Sequence, residues 1–405
     1  MDSLLFKSEI ENLPQFKQLK NIVKLPKLSE NANQMLSTFY KRIDYSKKMF
    51  VKYSSNIYES LTNETQLKKS ENHNWIPRSL CGMIDNVCVN NVSFLVEVPI
   101  RNTLFNRKFK IFLGMPSHYT ERNLINIIEM ISCWFHFVND FVEDGCSNTV
   151  NIHIFMIPEK KDLPDDHEVI DKDDVNTAFT TTCRLHTNVN IFREEEWFRA
   201  LIHESFHNLG LDFIRMDASP IEMNQNRIKK VFPIQVADIR FYETYCEMWA
   251  EVLNLLFYVY YNKPEKKRWK SMFFEFFEFE QIFALWQCVK ILRHNNISYI
   301  NLKEQAPIYR EKTQGFSYFV LKSILSVHLD QFLQFCATQF QDTRVTLEFR
   351  RTKHNLNQYT NLFLHNYKSD EMMYGTSILE PILQKKNKNS PFVKTLRMSL
   401  FEIKY

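Results

Sequence analysis

Residues 199–213 read RALIHESFHNLGLDF, a stretch in which His203 and His207 lie four residues apart and Glu204 follows the first. On a helix, positions four apart share one face, so both imidazoles can reach a single ion. A glutamate next to the first of them can take a proton from a metal-activated water and hand it to a leaving amine. Leu201, Ile202, Phe206 and Leu209 give the same stretch an apolar face. The chemistry these residues suit is that of Zn²⁺, which needs a third protein ligand and one coordination position left for water.

One group of zinc peptidases takes that ligand from the continuation HExxHxxGxxH. Gly210 falls on its glycine, but Phe213 stands where the ligand should be. Asp212, one residue early, reaches the ion only through an irregular turn; otherwise it orients the helix end or a ligand histidine. No GTxxD segment follows. The segment YETYCEMWAEVLN instead offers Glu243, Glu247 and Glu251 at four-residue spacing, among Tyr245, Met248, Trp249 and Leu253. Much of that helix must be buried, and carboxylates so placed need partners such as a metal ion or a ligand histidine. With Glu247 as the ligand, Ala250 lets the helices approach closely, and Glu251 accepts the free ring N–H of His203. In the other frame Glu243 is the ligand, Cys246 is the small residue, and Glu247 supports the site from outside. Ala is the better close-packing residue, which favours Glu247.

HExxH followed by ExxA(D/E) resembles the gluzincin group of zinc metallopeptidases, its thermolysin-like branch. The resemblance implies that His203, His207 and Glu247 hold Zn²⁺, that Glu251 supports them and that Glu204 is the general base. The separation from His207 to Glu247 (247 − 207 = 40) is longer than in thermolysin-type enzymes. The stretch from VNTAFT to NLGLDF, with LPDDHEVID and QGFSYFVLK, is also similar to uncharacterised HExxH proteins of large double-stranded DNA viruses. The group implies a zincin fold, with a strand-containing lobe above the motif helix and a helical lobe below, and a peptide or protein substrate extended along a strand edge. TTTCRL or NVNIF is the candidate edge, and Tyr309, Tyr318 and His294 are candidates to steady an oxyanion.

The elements that must position these residues read as α+β. Residues 1–90 are mostly helical, with Gln34–Leu61 the longest candidate. VSFLVEVPI and NRKFKIFLG alternate as a hairpin. A helix capped by Thr120 follows, then a strand at TVNIHIFMIP and an acidic loop over 158–175. NTAFTTTCRL and NVNIFR are two further strands around a turn at His186–Asn188. The motif helix opens at REEEW, whose glutamates suit the helix dipole, and stops at Gly210. From about 221 only helices are convincing. The expected regions are a helical 1–90, a mixed 91–220 ending in the motif helix, a helical 221–340 carrying the third ligand, and an extension, 341–405.

The 405 residues carry a net charge of +4 with basic and acidic residues interleaved, so nothing marks a nucleic-acid partner. The longest apolar run, VLNLLFYVYY, is too short to span a bilayer. The eight cysteines form no CxxC pair, and several sit in apolar runs, as Cys133 does. They read as reduced, buried thiols of an intracellular protein, cytoplasmic or, if viral, in host cytoplasm or virion. Glycine occurs only six times, which argues against a phosphate-binding loop. The alternative to a peptidase is a zincin-fold structural or binding protein, against which the intact Glu204 argues.

Overall fold

The computed structural model describes the chain except residues 1, 26–27, 64–76, 78–79, 81–82, 84–89, 101–102, 144, 167, 237, 263–265, 341–344 and 404–405. Cys81, Cys88 and most of the NWIPRSLCG turn fall outside the described residues. Two compact units form, each from separated stretches of chain, whereas the sequence reading divides the chain into consecutive regions. A sheet unit comprises 37–160, 176–212 and 403–405; a helical unit comprises 1–36, 161–175 and 213–402. No helix among the described residues is long and apolar enough to cross a membrane.

The sheet unit is built on six strands in the order β1-β2-β3-β4-β6-β5. They span Thr62–Asn63, Asn90–Pro99, Asn106–Met115, Thr149–Phe155, Ala178–Thr180 and His186–Ile191 in chain order. The expected hairpin is β2 and β3, antiparallel with Phe94 opposite Ile111. Phe109, Ile111 and Leu113 point to one buried face, the period-two pattern their alternation requires. β3, β4 and β6 run parallel, so the chain must cross over between them. The first crossover is the helix Glu121–Val138, which Thr120 and Asn123 close with a capping box. β6 lies between β4 and β5, which leaves the three-residue β5 as the edge. NVNIF is therefore interior, and the turn falls at 181–185, because His186 already pairs with Thr149.

The helical unit contains, among others, Phe241–Asn262 (α1), Trp269–His294 (α2) and Lys322–Val327 (α3), the last entered through a π-helical turn, Phe316–Leu321. Two later helices, Lys353–Asn366 and Asp370–Lys385, fill the stretch expected to be an extension. The chain then runs extended over 395–402 through the core. Gln287 and Lys290 of α2 donate to the Thr395 carbonyl, and Lys322 of α3 donates to that of Met398. Asn254 of α1 donates to the Phe401 carbonyl at 2.8 Å, and Glu280 accepts the Leu400 and Phe401 N–H groups at 2.7 and 2.9 Å. Beyond a single antiparallel bridge between Asp162 and Thr395, the segment's backbone groups find such partners, since buried backbone groups are costly to leave unpaired.

The cysteines divide. Cys133, Cys246, Cys288 and Cys336 are buried thiols, as expected. Cys146 and Cys183 instead form a disulfide in the sheet unit, which corrects the reading of a fully reduced chain.

Glu280 shares its buried surroundings with Glu251 and with Lys322, which pairs with Glu251 at 3.1 Å. Burial, then the charge of Glu251, raises the Glu280 carboxyl to about 8, although Lys322 and the two backbone N–H groups act against the shift. The folded state thus holds a proton that the unfolded chain releases near 4.5. That stabilisation is complete below this pH and is lost as pH rises through about 8. Glu280→Gln is expected to lose less unfolding free energy than the wild type between pH 5 and pH 9 in urea titrations. Parallel losses in the two proteins would clear Glu280 of this role.

Candidate metal centre

The motif forms the helix Trp197–Asn208, every residue of which is buried. It opens later than the glutamates suggest. Glu196 is the N-cap, in left-handed backbone at φ 58°, so Glu194–Glu196 precede the first turn instead of filling it. Polar side chains inside the helix have partners within the sheet unit. Trp134 donates its indole N–H to Ser205 at 2.9 Å, and Ser205 donates to the Leu201 carbonyl. At the far end Leu211 N–H reaches the Phe206 carbonyl at 2.8 Å and Gly210 N–H the His207 carbonyl at 3.3 Å. These two bonds are a Schellman ending, with Gly210 at φ 69°, so the glycine stop read from the sequence is the one the backbone uses.

The helix brings the Nε2 atoms of His203 and His207 to 3.2 Å. Two nitrogens bound tetrahedrally to Zn²⁺ at 2.0–2.1 Å are separated by about 3.3 Å. The imidazole pair therefore already spans one edge of a zinc tetrahedron. Asp212 accepts a hydrogen bond from Nδ1 of His207, which fixes the tautomer with the proton on Nδ1 and the lone pair on Nε2. This is the orienting role open to Asp212 in the sequence. The turn after Gly210 sends Asp212 to the back of the ring.

Phe213 lies at the position where another ligand was excluded. It is fully buried among the rings of Phe241, Phe349 and Tyr359 in the helical unit, with Phe349 at 4.5 Å between centroids. Its place is in a hydrophobic cluster, which explains an aromatic residue there.

All three carboxylates of α1 are buried, so the helix is not a solvated acidic stripe. His203, His207 and Asp212 belong to the sheet unit, and the carboxylates of α1 to the helical unit. Glu243 sits in the first turn of α1, where the helix dipole favours a carboxylate. Glu251 pairs with Lys322 at 3.1 Å, a residue 71 positions away that no local pattern connects to it.

Sequence reasoning missed the π-helical turn of the helical unit, a feature frequent at functional sites. Thr244, next to Glu243, donates to the Ser317 carbonyl of that turn at 3.1 Å, which places Tyr318 one residue from a contact with α1. Of the other oxyanion candidates, Tyr309 is buried with its hydroxyl on Glu311. His294 bonds the Glu168 carbonyl and lines a cavity of about 570 Å³ with Lys290, Arg293 and Lys388.

Comparison of the chain with protein-family models, with curated proteins and with solved structures finds no match. The assignment of chemistry therefore rests on the site itself.

Asp212→Asn is expected to weaken Zn²⁺ binding by roughly 10–100-fold, the usual cost of losing a carboxylate behind a ligand histidine. Competition with a chromophoric chelator measures this, and unchanged affinity would remove Asp212 from the site. The same titration separates the two frames. Glu247→Gln should lose more affinity than Glu243→Gln, and the reverse order would assign Glu243 as the ligand.

Proposed function

We propose that the chain is a zinc-dependent metallopeptidase whose metal is held by His203, His207 and a third, carboxylate ligand, for which the sequence offers Glu247 and, in the other frame, Glu243. The observation that carries this reading is the 3.2 Å separation of two buried Nε2 atoms, with the far nitrogen of His207 fixed by Asp212. Two neutral imidazoles and a carboxylate are a donor set that suits Zn²⁺ and leaves one position open. Bound there, Zn²⁺ supplies a Lewis acid for the scissile carbonyl and acidifies a water.

The protein's own residues do the rest. His203 and His207 stay neutral and present their Nε2 lone pairs, the second through its bond to Asp212. Glu204, adjacent to His203 on the same buried helix, takes the proton of the attacking water. It then delivers that proton to the nitrogen of the leaving amine as the C–N bond breaks. The water-poor surroundings of the helix strengthen each of these interactions. An extended peptide adds to the sheet along β5, the edge strand nearest in sequence to the motif, by main-chain hydrogen bonds that require no particular side chain.

Glu204→Gln keeps the size of the side chain and removes its basicity. The variant is expected to retain stoichiometric zinc by elemental analysis and to lose cleavage of a denatured protein substrate by at least about a hundredfold, in keeping with general-base catalysis. Cleavage at the wild-type rate would refute the mechanism. Zinc-loaded wild-type protein that cleaves no peptide in an unbiased peptide library would favour a binding role for the site.

A further inference from the structure

The Cys146–Cys183 disulfide lies against the end of the motif helix that carries His207. Cys183 donates its backbone N–H to the His207 carbonyl at 3.3 Å. A Cβ placed on Gly210 would meet the Cys146 sulfur at 2.7 Å and Cys183 Cβ at 3.2 Å, so the helix stop is pressed directly onto the bridge. Residues flanking the bridge hold the next position of the helix. Ser147, after Cys146, donates to the Asn208 carbonyl at 2.6 Å, and Asn208 in turn donates to Thr180 and to the Thr181 carbonyl, both at 3.2 Å. Arg107, itself buried, fixes the loop before the bridge through the carbonyls of Glu143, Cys146 and Ser147. His207 is thus held from two sides, by Asp212 at its ring and by the bridge at its carbonyl.

We propose that Cys146–Cys183 is a reversible redox site that sets the affinity of the histidine pair for zinc, a proposal that rests on the metal reading above. A dithiol reductant supplies two electrons and two protons. The S–S bond breaks, each sulfur takes one proton, and the reagent closes to its own disulfide. Sulfurs held at a covalent distance near 2.05 Å must then move to a non-bonded separation of about 3.5–4 Å. On the Gly210 side there is no room for Cys146 to move into. The motion is therefore taken up by Gly210 or by the 181–185 turn, and either path strains the bond from Cys183 to the His207 carbonyl. Cys183 is only half-buried, so a small reductant has access to the bridge. Metal affinity would then follow the redox state of the compartment, high where disulfides persist and lower where thiols prevail.

The test compares zinc affinity, by chelator competition, in oxidised wild-type protein, in wild-type protein reduced with dithiothreitol and desalted under argon, and in Cys146→Ser/Cys183→Ser. The reduced and doubly substituted proteins are expected to bind zinc roughly 10–100-fold more weakly, the range for lost support behind a ligand. Reoxidation of the wild type should restore the original value. Affinities within twofold of one another in oxidised and reduced wild type overturn the redox proposal and leave the metal reading intact. Oxidised wild type that binds no zinc overturns both. If circular dichroism shows the double variant unfolded, the reduced and reoxidised wild type decides the matter.

Discussion

The motif helix Trp197–Asn208 is buried along its entire length, although half of its twelve residues are polar. A helix in that position cannot face its charged and hydrogen-bonding groups toward water, so each must be met by the protein or by a ligand. Most of the sheet unit's polar architecture answers this demand. Trp134 meets Ser205, the residues around the disulfide meet Asn208 and the His207 carbonyl, and Asp212 meets the ring of His207. On the same helix a pair of imidazole nitrogens, those of His203 and His207, face each other at 3.2 Å. Two such groups can share one proton or one cation, and the second choice uses both lone pairs.

The helical unit meets a similar demand differently. Glu251 pairs with Lys322, and the extended 395–402 segment supplies backbone N–H groups to Glu280. The same helix, α1, therefore carries carboxylates with different duties on successive turns. Glu251 belongs to an internal ion cluster, while Glu243 opens the helix, where the dipole favours a carboxylate. A row of acids at four-residue spacing marks a buried face without telling which of its members bears the chemistry.

Local rules were legible in the sequence. The alternation in β2 and β3, the Thr120 cap, the motif helix and its Gly210 stop each depend on residues within a few positions, and the structure follows them. Pairings across long stretches of chain were not legible. The union of Cys146 with Cys183 cannot be deduced from spacing, since connectivity is set by the fold. The insertion of β6 between β4 and β5 is equally silent, because a short apolar run looks the same at an edge or inside a sheet.

Glycine is scarce in this chain, with six in 405 residues, and left-handed backbone is mostly assigned elsewhere. Ser147, Glu196 and Asn296 all adopt positive φ without it, and among the described residues Gly210 is the one glycine that does so. A composition that tolerates strain in an unbranched Glu or Ser has kept glycine where a side chain would also collide with sulfur. For anyone redesigning the protein, one of the strained positions is open ground: a glycine at the exposed Asn296 relieves backbone cost without touching a metal donor. Gly210 offers no such freedom, because its conformation and its empty side combine in a requirement that no other amino acid meets.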